Sequence, residues 1–388
     1  MTEAADQATL STDIAIIGAG PVGMTLALAL AGSPLRILLI DRRARRAWLD
    51  DPRALALAHG SRQLLERLHA WNAAASTAIT EIHVSQRGGF GRTLMRAEDY
   101  ATPALGYVMP YRALAAALDA QIPDDRFIDE CIVEASETDA EQTRLTVTRH
   151  GTRQQIDAKL VVHAEGTPET GPGIRVHDYE QHAVVAEVRP AVGHQHRAWE
   201  RFTPDGPLAL LPNGVGYSVV FTLPPEKATQ MLQLDDAAFL TALQNAFGRR
   251  VEFVASGPRA GFPLALRVRS PIIGARQVWI GNSAQTLHPV SGQGVNLGLR
   301  DAWELAETLL AGQHADAGHP ATLAAYARGR RSDRRSSTAF TDGVVRLFSN
   351  DLPPLRLARG LGLLALDLYP PLRHLVAKRM IWGARAWP

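Results

Sequence analysis

The chain has 388 residues, 46% apolar and 21% charged, with a formal net charge of +2. That is the composition of a folded globular protein of more than one domain, and the near balance of charge argues against a nucleic-acid partner. Its single cysteine, Cys131, excludes an internal disulfide and fits a reducing cytosol. Along the chain, the polar start MTEAADQATLSTD lacks the basic start and apolar core of a secretion signal and reads as a short tail. No run approaches the roughly 18 to 20 apolar residues of a spanning helix. The nearest, Leu361 to Tyr369, is broken by Asp367 and followed by Pro370 and Pro371.

Residues Asp13 to Ile17 (DIAII) predict a buried parallel strand, followed at once by Gly18-Ala-Gly20-Pro-Val-Gly23. MTLALALAG predicts a helix ending near Gly32, and RILLI a second strand closing on Asp41. In a dinucleotide site Gly18 allows the tight turn, Gly20 lets backbone approach a pyrophosphate and Gly23 lets helix pack on strand. The helix start offers N–H groups to phosphates, and Asp41 can accept hydrogen bonds from ribose hydroxyls, so the ligand is FAD or NAD.

Ile132 to Val162 alternates polar and β-branched residues and predicts strands returning to this first unit. From Tyr179 to Leu266 the β character recurs in AVVAEV and GYSVVFTL, interrupted by the helix DDAAFLTALQNAFG capped at Asp235 or Asp236. After a strand at QVWI comes GNSAQTLHPVSGQGVNLGLRDA, residues 281–302: a loop shaped by Pro289 and Gly292, then a second glycine-opened helix. NAD needs one pyrophosphate cradle. FAD needs a further contact region for its ribityl chain and ring, and free N–H groups at a helix start could bind the flavin carbonyls, so this stretch points to flavin.

The residues Gly281, Asn282, Ala284, His288, Pro289, Gly292, Gln293, Gly294, Asn296, Gly298 and Asp301 resemble the flavin-lining run of the class A, single-component FAD aromatic hydroxylases. STAITEIHVSQRG, ERFTPDGPLALLP, FPLAL and SDRRSSTAFTDGVVRLF are similar to blocks of the branch that acts in ubiquinone biosynthesis, and the likeness runs from about Asp13 to the C-terminus. The resemblance implies an α/β fold: a three-layer, Rossmann-like FAD-binding domain (12–75, 111–175, 271–345), interleaved with a β-sheet substrate domain (76–110, 176–270), and a C-terminal helical region (346–388). It implies FAD contacts at Arg53 and Arg112, with Arg42 beside Asp41, and substrate positions near the ring at Pro212, Phe221 and Pro263. It also implies NAD(P)H as reductant, O2 as co-substrate and a flavin C4a-hydroperoxide that hydroxylates a polyprenyl phenol, with other ubiquinone-biosynthesis proteins as partners. Asn282 stands where most members carry aspartate, and Ala164-Glu165-Gly166 replaces the family's A-D-G.

Several readings stay open. His288 either donates to flavin or substrate or caps its loop. Phe202, Leu208, Leu210, Leu211, Phe221 and Phe262 either line a cavity or form core. Basic residues from Arg328 to Arg335 offer a docking surface, and Arg356, Arg359, Arg373, Lys378 and Arg379 either form a membrane-facing basic face on a helix pair or belong to helices covering the FAD domain. The protein is read as cytoplasmic, with peripheral contact at the inner face of the membrane as the alternative. No metal site is expected, since the histidines lack partners at ligand spacing. Hydroxylation of a soluble aromatic compound on the same fold, and a non-catalytic FAD scaffold in a quinone-synthesis assembly, are the rival functions.

Overall fold

The structure, a computed structural model, describes residues 9–168, 170–312, 314–348 and 353–383, without the side chains of 291 and 353–356. The start of the acidic tail, residues 1–8, lies outside the described residues. The first strand opens earlier than its apolar run, at Leu10, because Leu10, Ser11 and Thr12 already pair in parallel with Ile156, Asp157 and Ala158.

An eight-stranded sheet forms the first layer. Its main order is Ile273–Gly274, Gln277–Trp279, Thr152–His163, Leu10–Ile17, Ile37–Ile40, Phe127–Ile128, and Thr143–Arg149 and Cys131–Thr138 extend it as an antiparallel flap. Ile14, Ala15 and Ile16 of its central strand are wholly buried, as expected for a parallel strand covered on both faces. Helix Pro21–Ala29 covers one face and packs on helix Gln293–Leu310. The approach is close because Gly298 has no side chain: a Cβ there would lie 2.7 Å from Val22 Cγ2 and 3.1 Å from Gly281 Cα.

A second eight-stranded sheet runs Gln285–Thr286, Phe253–Arg269, Ile174–Pro190, Gly216–Leu223, Pro207–Asn213, Arg197–Phe202, Glu81–Gln86, Arg92–Arg96. One face is sealed by helices Pro225–Gln233 and Asp236–Phe247, over a core that includes Val184, Leu208, Leu210, Val219 and Phe221. Asp235 caps the second of these helices, its Oδ1 accepting from the Ala238 N–H at 2.8 Å. The segment 76–110 divides between sheets: Glu81–Gln86 and Arg92–Arg96 join the large one. Thr77–Ile79 and Gly106–Pro110 pair instead with Ala54–Ala58 in a small three-stranded sheet.

The basic run in helix Pro320–Phe348 divides: Arg328, Arg331 and Arg335 are exposed, while Arg330 and Arg334 turn inward. Arg330 is fully buried, bonded to Asp301 at 2.7 Å, Glu304 at 2.8 Å and Asp333 at 3.0 Å, while Arg300 reaches Asp333 at 2.8 Å. Arg334 turns inward too, donating to the carbonyls of Arg269 and Ala284 and to the Gln285 side chain. The charges lock helix to helix.

The C-terminal pair, Pro353–Leu368 and Pro370–Trp382, forms as expected, and its basic residues divide. Arg359 is buried, its guanidinium 6.0 Å from the Phe348 ring centroid; Arg373, half-buried like Arg379, donates to the Asp367 carbonyl; Lys378 is exposed, and the Arg356 side chain lies outside the described residues. Most of what faces outward is apolar: Leu357, Leu361, Leu364, Leu368, Tyr369, Leu372 and Leu375. No helix among the described residues is long and apolar enough to cross a membrane.

Replacing Arg330 by Met leaves Asp301, Glu304 and Asp333 without their shared cation, and should cost about 3 to 5 kcal/mol in urea unfolding. Burial alone would raise the Asp333 carboxyl; Arg300 and Arg330 outweigh it and hold it down to about 2. Its stabilisation is therefore complete above the unfolded carboxylate range and is lost as pH falls from about 4 towards about 2, a slope that unfolding curves of wild type should show and that Arg330→Met should flatten.

Candidate flavin site

Each glycine of the first turn answers a different constraint. Gly18 has φ +106°, and a Cβ on it would sit 2.5 Å from the Ala164 carbonyl; a Cβ on Gly23 would be 2.0 Å from Gly18 O. Those two are required by the protein itself. At Gly20 the nearest atom to a Cβ would be Tyr111 Oη at 3.5 Å, so the protein leaves that position open. Helix Pro21–Ala29 begins beside this opening with no side-chain cap and no acidic residue in its first turn. Its unpaired N–H groups are left for an anion.

Asp41 ends the second strand almost buried, with Oδ2 accepting from the Ala19 N–H at 2.8 Å and Oδ1 from Arg43 N at 2.9 Å and Nε at 3.2 Å. Arg43, rather than Arg42, folds onto it; Arg42 is exposed and makes no side-chain contact with the described residues. Ala19, Asp41, Arg43, Ala47, Trp48 and Phe127 border a shallow cleft at the strand ends, which is where nucleotides bind open α/β sheets.

Arg53 is brought to the glycine turn by pairing of Ala54–Ala58 with Gly106–Pro110, and the Tyr111 N–H donates to the Arg53 carbonyl at 2.8 Å. The Arg53 guanidinium is paired with Asp51 at 2.6 Å and lies 4.8 Å from the Tyr111 ring centroid. The hydrogen bond to Asp51 raises the guanidinium pKa further, against burial, so it is charged throughout the working range. Tyr111 was missed by sequence reading: an aromatic opening a helix has no periodic signature, and only the tertiary approach to Gly20 marks it. Arg112 beside it is exposed, with no ion-pair partner among the described residues.

The second motif closes against the first. Gly281, at φ +59°, faces Val22 of the first helix, and its N–H donates to Asp301 Oδ2 at 3.0 Å. Ser283 Oγ donates to the Gly166 carbonyl at 3.0 Å, and Asn282 Nδ2 approaches Thr167 Oγ1 at 3.5 Å. Ala164-Glu165-Gly166 thus lies between Gly18 and Asn282, joining three motifs remote in sequence. Gly292 takes φ +59° to start helix Gln293–Leu310, which has no side-chain cap and no acid in its first turn, and a Cβ on Gly294 would meet nothing within 4 Å. A second uncapped helix start therefore borders open space next to the first.

Asn296 holds this helix start in place. Its Oδ1 accepts from Ala58 N at 2.8 Å and Ser61 Oγ at 2.7 Å, and its Nδ2 donates to Ala56 O at 2.8 Å and Gly292 O at 2.7 Å. All four side-chain bonding positions are filled by protein, so its side chain pins the loop and has none left over for a ligand. His288 caps its loop yet keeps one ring nitrogen over, its buried Nε2 having no hydrogen-bond partner among the described residues. Its Nδ1 accepts from the Val290 N–H at 3.1 Å, capping the short turn Pro289–Ser291, and its ring meets Tyr179 edge to face at 5.2 Å. Burial pushes it down to about 4, so it is a neutral loop cap at pH 7. Pro289 is half-buried in that turn, and Gln293 is buried at the start of the helix behind it.

The substrate positions need correction. Phe221 belongs to the core under the two covering helices, and Pro212 shares the strand face of Leu208 and Leu210 and pairs with Tyr217 of that core. Both point away from the flavin side of the sheet. Pro263 is exposed, while its neighbour Phe262 faces the site, its ring centroid 5.9 Å from the Arg53 guanidinium. Period-two alternation separates such neighbours, and a proline-centred motif does not show which face each takes.

These residues fit FAD: two uncapped helix starts, two glycines open to a ligand, a strand-end carboxylate and a fixed guanidinium. Gly20→Val should lose flavin absorbance and melt together with FAD-free wild type, because its side chain enters the ligand space and a Cβ there stays 3.5 Å from Tyr111 Oη. Gly23→Ala should instead lower the melting temperature, since its Cβ collides with Gly18 O.

The FAD binding domain family model matches residues 11–341. The ubiquinone hydroxylase UbiL of Rhodospirillum rubrum is 34% identical over 393 residues, covering 97% of this chain and 91% of the relative. The 3-demethoxyubiquinol 3-hydroxylase of Escherichia coli is 28% identical, over 92% of this chain and 95% of the relative. The crystal structure of p-nitrophenol 4-monooxygenase PnpA from Pseudomonas putida shares the fold, with a TM-score of 0.79 at 16% identity, covering 97% of this chain and 100% of that one. With both flavin motifs in place and the match spanning almost its whole length, the chain belongs to the FAD-binding-domain family, in its branch of ubiquinone-biosynthesis hydroxylases, and is an FAD-dependent aromatic-ring monooxygenase.

Proposed function

We propose that this enzyme hydroxylates the aromatic ring of a polyprenylated phenol in ubiquinone biosynthesis, in the manner of a 2-octaprenyl-6-methoxyphenol hydroxylase, with NAD(P)H as reductant. The observation that carries the reading is a cavity set beside an exposed apolar helix face. The C-terminal helices turn leucines outward, and their buried Arg359 borders a cavity of about 520 Å³ together with Gln86, Arg87, Gly88, Phe202, Thr203 and Pro204. Phe202 stacks on Phe348 at 3.7 Å, and the cluster they form with Leu363 packs against Val290 of the Pro289 turn. The cluster therefore joins the cavity border to the flavin loop. A volume of this order suits a drug-sized apolar ligand, and a longer chain can leave through the open mouth along the leucine face.

Bound FAD, once reduced, supplies the activation of dioxygen. The protein's part is to hold and orient. The helix starts at Gly20 and Gly292 present N–H groups to the cofactor, Arg53 adds a fixed positive charge, and the Phe202 cluster keeps water from the approach to the ring. The exposed leucines suit a lipid surface, where a polyprenyl substrate resides, and contact there is peripheral. A proline-adjacent basic face is not needed for this. Other proteins of the pathway are the partners this setting supplies.

In a strain lacking the gene and grown with oxygen, a prenylated phenol short of one ring oxygen should accumulate, and complementation should remove it. Mass spectrometry of the quinone-pathway lipids reads both; unchanged lipids and unchanged quinone would reject the reading.

A further inference from the structure

The face of the large sheet turned towards the flavin loop carries polar side chains at Gln86, Ser218 and Thr222 around an aliphatic row. Across it, Val185 pairs with Val220, Val220 with Ala209, Ala209 with Glu200 and Glu200 with Val84, so one carboxylate stands in a row of small aliphatic side chains. Its neighbours on the same strand face fix its position. Ala198, two residues before, packs with Val108 and Ala54, the residue after Arg53; Phe202, two residues after, packs in the cluster that reaches Val290. Glu200 thus lies between the Arg53 side and the Pro289 side of the flavin site, next to the inner end of the cavity at Phe202. Trp199, between Ala198 and Glu200, points to the helix-covered core, which confirms the alternation.

Among the described residues, Glu200 Oε1 is shut off from solvent with no hydrogen-bond partner, and no ion pair compensates it. Burial pushes its carboxyl up to about 8. A buried polar group without a protein partner is costly, and such groups are retained where a ligand completes them. The cavity's border is mixed, with Gln86, Arg87, Thr203 and Arg359 beside Phe202 and Pro204, and Glu200, next to Phe202, is the carboxyl left to take a hydroxyl of the substrate.

We propose that Glu200 is the anchor of the substrate's ring head: its carboxyl hydrogen-bonds a hydroxyl of the phenol and so selects which ring carbon is presented to the flavin. This rests on the prenyl-phenol reading above. No proton leaves the substrate through this bond; Glu200 positions and discriminates. A site built to bond a hydroxyl rejects the analogue that lacks it, because its own polar group is then left unpaired.

The test uses the FAD-loaded enzyme and two probes, 2-geranylphenol and geranylbenzene, whose binding is followed through the flavin absorbance. Wild type should prefer the phenol by about tenfold or more, Glu200→Gln should keep that preference, and Glu200→Leu should bind both equally. In turnover, Glu200→Leu should raise KM for the phenol, divert NAD(P)H to hydrogen peroxide and scatter the position of hydroxylation, while its melting temperature stays level or rises because no protein bond is lost. Undiminished preference and a single product from Glu200→Leu would overturn the inference alone. So would failure of that variant to load FAD, which would make Glu200 a structural residue. If wild type neither binds nor oxidises 2-geranylphenol, the prenyl-phenol reading itself fails and takes the inference with it.

Discussion

The carboxylate of Asp301, wholly buried, is the point on which the flavin half of the molecule depends. Its Oδ2 takes the Gly281 N–H and the Gln285 side-chain amide, and its Oδ1 takes Arg330. An ionised group so deeply placed is tolerated only if every lone pair is matched, and here the matches come from three elements: the turn at 281, the strand at 285 and the long helix behind. Gly281 is thereby held against Val22, the two glycine-opened helices are brought together, and the space for a dinucleotide is defined between their starts. The same charge network fastens Arg300 and Arg334 inward. What reads in sequence as a solvent-seeking cluster is the clamp of the cofactor domain.

The flavin half was legible because it rests on backbone constraints. Gly18, Gly23 and Gly298 are places where another side chain cannot fit, and such requirements surface in the sequence as glycine at fixed spacing. Strand, turn, helix and acid follow in register, so Asp41 and the 281–298 run could be named from residues alone, whereas Arg53 came from the family resemblance. The large sheet was legible as β structure, but which residue faces flavin was not. A one-residue difference reverses the face, as Phe262 and Pro263 show, and helices covering one side of a sheet leave no mark on the strands they cover. Charge was the least legible quantity: Arg330, Arg334 and Arg359 turn inward while Arg328, Arg331 and Arg335 stay exposed, because burial of an arginine depends on partners brought from elsewhere in the chain.

Three motifs distant in sequence meet within a few ångströms, with Ala164 against Gly18 and Gly166 against Ser283. The substitution of glutamate for the family's aspartate at 165 is accommodated because the carboxylate turns outward to His163 Nδ1 at 3.1 Å, and His163 in turn stacks flat on Trp279 at 4.8 Å. The extra methylene is absorbed at the surface, and the backbone contact that matters to Gly18 is unchanged. Asn282, uncharged, brings hydrogen-bonding capacity and no added negative charge beside Thr167 and Thr286.

Asn296 ties residues 56, 58 and 61 to a helix that starts at 293, across some 235 to 240 positions of chain. The N-terminal strand, turn and helix are translated early, yet the loop that completes the cradle is among the last third to leave the ribosome. A nascent chain therefore carries a half-built nucleotide site through most of its synthesis, and FAD cannot template the early unit into its final form. The cradle is complete only once the 281–301 segment has emerged, and a chain truncated before it lacks the second helix start and the Asn296 tie to residues 56, 58 and 61.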